Sequence, residues 1–333
     1  MAHGKLEILM KRLQTVIVSP ALADANNGNW QTAHRWQQML SHKHRARVVR
    51  AWPDAQAGGD DVMLALHALK SADAVQAWHS QVGSQGLGVV LTGTDLYRDL
   101  AQSPQAQTSV AVAGRLVSLQ SRAIEALPAD MRHKAVVIYQ STPTRQTLPK
   151  TTRHLRAVMV GHLRDEKDPL TLMAAARHLV GDAGILIDHV GEPLVAQLGA
   201  AAQATAQVCP GYRWLGGQPH TATLKRIQRA HVLVHTSRME GGAHVLMEAI
   251  CSGTPVLASR MPGNVGMLGA DYAGYFEVGD SAGLATLLRL CQNPHGSPLM
   301  QQLRHQCAAR APLFAPRNEQ RALERLVEEL GNH

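Results

Sequence analysis

The segment from Val232 to Ser259 reads VLVHTSRMEGGAHVLMEAICSGTPVLAS. Its pattern is strand, small-residue turn, helix, Gly-Thr-Pro turn, strand. The turn is Glu240-Gly241-Gly242-Ala243, followed by His244 and a helix through Val245 to Cys251. Small residues ahead of a helix leave backbone N–H groups open, and the helix dipole adds positive potential, so a phosphate can dock there. Glu240 stands where it can reach a sugar hydroxyl at the helix mouth. Glu248, further along the helix, can accept from both hydroxyls of a ribose. A tight turn with two surface carboxylates is the plain alternative. A second segment, Val160-Gly161-His162-Leu163-Arg164-Asp165-Glu166-Lys167-Asp168-Pro169, weighs against it. Gly161 gives backbone clearance at a strand end. Arg164 and Lys167 are spaced so that both can face one diphosphate. A solvated, charged helix start is the simpler reading of the second segment taken alone.

These residues need strands and helices to hold them. Short β-branched runs recur at Thr15–Ser19, Arg47–Arg50, Val89–Thr92 and Val136–Tyr139. They recur again at Ala157–Val160, Ile185–Ile187, Val232–Val234 and Pro255–Ala258. Amphipathic stretches such as Thr171–Leu179 and Leu284–Cys291 lie between them. This alternation predicts an α/β protein with doubly wound parallel sheets. The polar stretch Ser141–Arg156, with Pro143 and Pro149, reads as a linker between two such halves. We therefore expect a leader over residues 1–10, a first domain over 11–148, a second over 149–314 and a closing helix within 315–333. Ligands of such sheets bind beyond the carboxyl ends of the strands, which puts the site in the cleft between the halves.

The bulk numbers narrow the class. The chain has 333 residues, 45% of them apolar, which suits two packed domains. No run approaches the roughly 20 apolar residues of a membrane span, and no secretory signal is visible, so a cytoplasmic protein is expected. The cysteines, Cys209, Cys251, Cys291 and Cys307, show no CxxC spacing and read as reduced thiols. No HExxH occurs, and the close pair His42 and His44 reads as a solvated helix end. The formal charge of +8 calls for an anionic partner. Only two Phe and five Tyr are available for base stacking, so a small phosphorylated ligand is favoured over nucleic acid.

The pattern G-x-L-x-x-x-K-D followed by E-G-x-x-x-x-x-x-E-A-x-x-x-G-x-P-V resembles the retaining-type GT-B glycosyltransferases. That resemblance implies two Rossmann-like domains with an interdomain cleft, the nucleotide sugar being held by the second. It implies that Arg164 and Lys167 hold the diphosphate and that Glu240 touches the sugar. Gly242 and Ala243 would take the phosphate, Gly241 and His244 would be further substrate-binding positions, and Glu248 would take the ribose. Tyr212-Arg213-Trp214-Leu215-Gly216 resembles the loop at the nucleobase, with Leu215 the contact. Asp188–Glu192 resembles the strand ending near the ribose and base. His231 occupies the place of an acidic residue in the family's "a-D-v" element. Ala25–Trp30 resembles the Gly-rich loop near the donor phosphates and implicates Gly28 and Asn29. Leu91–Leu96 resembles the H-G-x-D loop, with Thr92 in the histidine place. His67 falls near the family's cleft histidine, although a buried core histidine is the equal alternative.

Asn26–Trp36, Leu66–Ala72, Leu91–Asp99, Glu240–Val245 and Ser259–Gly269 together are similar to the bacterial selenosugar synthases of selenoneine biosynthesis. This similarity implies a hexosyltransferase-type enzyme that moves a sugar, N-acetylglucosamine by expectation, from a UDP-sugar to selenium of selenophosphate. Selenophosphate is a small polyanion with an already nucleophilic selenium, so it needs cationic positioning more than a strong base. His67, Thr94, Asp95 and Arg98 are the acceptor-side candidates. With no D-x-D motif in a suitable context, metal-independent chemistry is expected, with no cofactor, no nucleic-acid partner and no stable membrane association. Two other readings remain: a GT-B enzyme for a glycan or lipid hydroxyl, and a non-catalytic nucleotide-binding protein. The lipid version rests on the basic stretch Gln31–Arg50 and on Trp30, Trp36 and Trp52.

Overall fold

The computed structural model describes residues 12–23 and 28–332. The expected leader, and the Ala25–Asn27 part of the first-domain loop, lie outside the described residues. Two parallel six-stranded sheets form the scaffold. The first contains β1 (Gln14–Val18), β2 (Arg45–Val49), β3 (Val62–Leu66), β4 (Leu87–Leu91), β5 (Arg115–Ser118) and β6 (Ala135–Val137), in the order β2-β1-β3-β4-β5-β6. The second contains β7 (Leu155–Val160), β8 (Ile185–Val190), β9 (Tyr212–Trp214), β10 (Val232–His235), β11 (Val256–Ser259) and β12 (Tyr275–Phe276), in the order β12-β11-β10-β7-β8-β9. Helices surround both, as the alternation predicted. The central strands β3 and β4 are apolar and buried at every position because both of their faces are covered.

The strand order itself locates two crevices. In the first sheet the chain reverses direction between β1 and β3. In the second it reverses between β7 and β10. Helices leave opposite faces at such a switch, which opens a crevice beyond the strand ends. The segments beyond those ends hold Gly28 and His67 in the first half, and Gly161–Lys167 and Thr236–Glu240 in the second.

Several expectations are adjusted. His44 is buried rather than solvated, and the strand β2 starts one residue later. The helix before it ends at Leu40, so His44 lies in a turn packed near Glu328, 3.8 Å away. Leu155 and Arg156, read as linker, are the first residues of β7. The short strands β5, β9 and β12 pair at sheet positions where two to four residues suffice, too few for a periodic signal.

The last helix, Pro316–Gly331, returns to the first half. Leu323, Leu326, Val327 and Leu330 recur at helical spacing and pack with Ile17, Trp36, Leu40 and Leu64. Fully burying such a side chain contributes about 1.5–3 kcal/mol. One charge on this helix is buried as well. Glu319 accepts from Arg35 Nε and Nη2 (both 3.0 Å to the nearer oxygen), Trp36 Nε1 (2.7 Å), and the Ser141 backbone N–H (2.8 Å) and hydroxyl (2.6 Å). Each of its oxygens is thereby satisfied, which is the condition for burying a carboxylate without neutralising it.

Candidate active site

The second-half loops meet at the β7/β10 crevice. Lys167 donates to Glu240 Oε1, and Ser237 Oγ donates to the same oxygen at 2.9 Å. His235 Nε2 lies 3.7 Å from it. Burial works to raise the Glu240 pKa, but Lys167, with the hydrogen bond from Ser237, prevails and holds it below the usual carboxylate range. Burial pushes His235 down to about 4, so that ring is neutral near pH 7. Thr236 Oγ1 donates to the Lys167 carbonyl at 2.8 Å and ties the two loops together. Asp168, in the left-handed region at φ 45°, accepts from Thr171 Oγ1 (2.7 Å) and pairs with Arg238 (3.0 Å). Arg164 does not join Lys167. It is half exposed and its Nε lies 3.9 Å from Glu166. The two cations expected to share one anion thus face different carboxylates here.

The turn Gly241-Gly242 is compressed between the halves. A Cβ on Gly93 would stand 2.5 Å from the Gly241 nitrogen, and one on Gly242 would stand 2.9 Å from the Leu119 Cβ. Glycine is required at these positions for close approach of two backbones, not for unusual dihedrals. The loop after β4 therefore rests directly on the turn before the helix His244–Ile250. The Ala243 N–H donates to Met267 Sδ at 3.2 Å, a weak acceptor that a phosphate oxygen would outcompete. Arg98 adds a bridge between the halves, with Nη1 3.4 Å from Glu166 Oε1 and Nε 2.8 Å from Asp99.

Glu248 is buried on the same helix and carries a partner that the sequence reading missed. His220 Nε2 lies 2.7 Å from Glu248 Oε1, and His244 Nε2 lies 3.7 Å from it. The hydrogen bond to Glu248 raises the His220 pKa. His220 opens the helix His220–Arg229, behind Pro219. No spacing rule links it to Glu248, so only the tertiary fold could reveal the pair. Leu215 sits nearby in chain order beyond β9, its N–H bonded to the His189 carbonyl (2.8 Å) and its carbonyl to Gln218 Nε2 (2.8 Å).

The first half supplies a buried polar cluster. His67 has φ 76°, a strained left-handed backbone for a side-chain-bearing residue. Its Nδ1 accepts the Lys70 N–H (3.3 Å), which leaves the ring proton on Nε2. Nε2 faces Thr94 Oγ1 at 3.1 Å and Asp99 Oδ2 at 3.6 Å. Asp95 accepts from the Ala68 N–H (2.7 Å) and Thr92 Oγ1 (3.0 Å). Burial raises its carboxyl to about 7 and lowers His67 to about 4. The segment Asp95–Asp99 is wound as a π-type turn, a form associated with functional sites. The structure thus brings His67, Thr94, Asp95 and Arg98 together, and adds Asp99, which was not singled out. Gly28 and Asn29 open the helix Gly28–Leu40, and the Gly28 carbonyl accepts Thr32 Oγ1 at 2.8 Å.

His231, in the place of an acidic residue, accepts the Arg156 N–H through Nδ1 at 2.9 Å. A carboxylate there could accept the same N–H, which accounts for the exchange.

The family model for glycosyl transferases group 1 matches residues 140–311. The chain belongs to this family. No curated protein matches it. Among solved structures, this glycosyl transferase is similar to sucrose-phosphate synthase from Thermosynechococcus elongatus, at 15% identity and TM-score 0.75 over 96% of this chain and 99% of that one. It is also similar to Anabaena HepE in complex with UDP-glucose, at 14% identity and TM-score 0.70 over 96% and 99%. A third is the pneumococcal O-GlcNAc transferase GtfA in complex with UDP and GlcNAc, at 17% identity and TM-score 0.65 over 80% and 57%. The chain therefore spans little more than half the length of GtfA. These likenesses show the fold, two Rossmann-like domains of the GT-B kind.

Among the described residues, no helix of the glycosyl transferase is long and apolar enough to cross a membrane. Trp36 and Trp52 are buried in the first-half cores, so they form no outward aromatic row. Of the three tryptophans on which the lipid-acceptor reading rested, only Trp30 is partly exposed.

Proposed function

We propose that this glycosyl transferase takes a sugar, assigned as N-acetylglucosamine, from a UDP-sugar and delivers it to selenium of selenophosphate. The observation that carries the donor half is the meeting, at one sheet crossover, of the Lys167 loop with Glu240 and the small-residue turn. The UDP and sugar complexes of the similar solved structures support a UDP-sugar donor. In this reading Lys167 and Arg164 take the diphosphate, and the open backbone at Gly241, Gly242 and Ala243 receives its oxygens. Glu248 takes the ribose, with His244 beside it, while Leu215 borders the base. As the bond from the sugar C1 to the UDP oxygen breaks, the charge on the leaving diphosphate grows. Preset cations and N–H groups meet it there without reorganising.

The acceptor half follows from the buried cluster. His67 presents a protonated Nε2 and is too weakly basic to take a proton from an alcohol. Asp95 is held near 7 and already accepts two hydrogen bonds. An acceptor that arrives ionised needs neither as a base. Selenophosphate fits that condition, with Arg98 to position its charge and the donors His67 and Thr94 to orient it. The C1–O bond breaks as the C1–Se bond forms, and water then cleaves Se–P. The products are a 1-seleno-sugar, UDP and phosphate. The reaction as proposed uses no metal and no cofactor.

The test is incubation of the protein with selenophosphate and a panel of UDP-sugars, with products read by mass spectrometry. Expected is a seleno-sugar mass with equimolar UDP. Turnover with hydroxyl acceptors and none with selenophosphate would overturn the acceptor assignment and leave the donor assignment standing.

A further inference from the structure

A second charged site lies on the other side of the donor sheet from the strand ends that bear the proposed active site. Arg156 is the second residue of β7, Asp188 lies within β8, and Arg213 is the middle residue of β9. Register pairs Val158 with Asp188 and Asp188 with Arg213, and strand alternation puts Arg156 on the same face as Val158. One face of three neighbouring parallel strands thus carries a buried Asp188, a half-buried Arg156 and, on the edge strand, an exposed Arg213, whereas apolar residues are the rule on a covered parallel sheet. The helix above, His220–Arg229, contributes the half-buried Arg226 and the exposed Lys225 and Arg229 to the wall of a cavity over this face, with Ala222 leaving space. Together Arg156, Asp188, Ala222, Lys225, Arg226 and Arg229 line a cavity of about 230 Å³.

The charges do not cancel. Asp188 is buried and accepts from Arg213 Nε at 2.9 Å, and Arg226 Nη1 lies 3.6 Å from its second oxygen. Among the described residues, Arg156, Lys225 and Arg229 have no carboxylate within ion-pairing reach. Arg156 Nε is also buried without an acceptor, a position that costs stability unless an acceptor arrives. Five cations around one carboxylate, one of them with an orphaned buried N–H, make an incomplete set. A guanidinium fork matches the oxygens of a phosphate group in two places at once.

The site is separate from the donor crevice. The His231 N–H donates to the Arg156 carbonyl at 2.8 Å, and His231 immediately precedes β10. Arg156 therefore lies at the amino-terminal ends of β7 and β10, whereas Lys167 and Glu240 follow their carboxyl ends. We propose that this cavity is a second anion site that binds a soluble phosphate group, as a phosphate ester or a diphosphate, independently of the sugar donor.

The probe is inorganic pyrophosphate, titrated calorimetrically into the full chain already saturated with UDP. Saturating UDP blocks the donor crevice, and the double substitution below tells this cavity from the proposed acceptor cluster at Arg98, which UDP leaves open. Expected is one further saturable binding event that weakens about tenfold or more in Arg156→Gln combined with Arg229→Gln. UDP affinity should stay unchanged in that double variant, which also shows that it is folded. The absence of a second event in the wild-type chain, or an event indifferent to the double substitution, would overturn the proposal.

Discussion

The two sides of the cleft treat charge in opposite ways. On the proposed donor side, Glu240 stays ionised because Lys167, with a hydrogen bond from Ser237, outweighs burial, so its contribution to stability is present above 4.5 and lost as pH falls. On the acceptor side, burial dominates and no cation is bonded to Asp95. Its carboxyl rises to about 7, so the stability tied to its protonated form is complete below 3.8 and lost as pH rises through about 7. His67 falls to about 4 for the same reason. The lesson is that the Lys167–Glu240 crevice holds and stabilises charge, whereas the buried core of the His67–Asp95 cluster presents neutral donors, with Arg98 the cation beside it. A nucleotide diphosphate needs the first environment. A nucleophile that arrives already ionised tolerates the second.

The contrast can be broken most forcefully at the seam. Glu319→Ala leaves the half-buried Arg35 without its carboxylate and strips partners from the buried Trp36 and Ser141. A loss of about 3–5 kcal/mol is expected in denaturant unfolding. Unchanged stability would mean that the closing helix does not lock the halves. Next comes the charge on the donor side. Lys167→Ala should lower turnover of the donor by about 100- to 1000-fold, read as UDP release. A rate near wild type would move the diphosphate elsewhere. Gly93→Ala places a Cβ against the Gly241 backbone and keeps the two sides apart. We expect kcat to fall about tenfold to a hundredfold while UDP binding, assigned by the proposed function to the second half, persists. Equal loss of both would show that the sides are not separable.

The smallest effect concerns His220. Its raised pKa means that the pair with Glu248 is complete below 6.5 and dissolves as pH rises through the higher folded value. The pair is largely exposed on the histidine side and is worth within about 1 kcal/mol. UDP affinity should therefore strengthen up to about fivefold between pH 6 and 8 as Glu248 is freed, and His220→Ala should flatten that trend. A pH trend identical in the variant would remove His220 from the ribose site.

Legibility in the sequence followed chain proximity. The β-branched runs, the closing helix within 315–333 and the turn Glu240–Ala243 are local patterns, and each appears where the sequence put it. The acceptor candidates His67, Thr94 and Asp95 also come together, because β3 and β4 are neighbours in the sheet. What stayed hidden depends on distant segments. His220 reaches Glu248 only when a helix start from one crossover lies over the helix from the next. Arg164 leaves Lys167 because their local turn is 3₁₀ and ends at a left-handed Asp168, which no residue count reveals. His44 is buried by Glu328 and its helix, nearly the whole chain away in sequence.

The most direct measurement is a crystal structure of the protein with UDP. The diphosphate is expected against Gly242 and Ala243 within reach of Lys167, with both ribose hydroxyls on Glu248 and His220 displaced. A nucleotide bound outside the cleft, or one that leaves the His220–Glu248 pair intact, would contradict it.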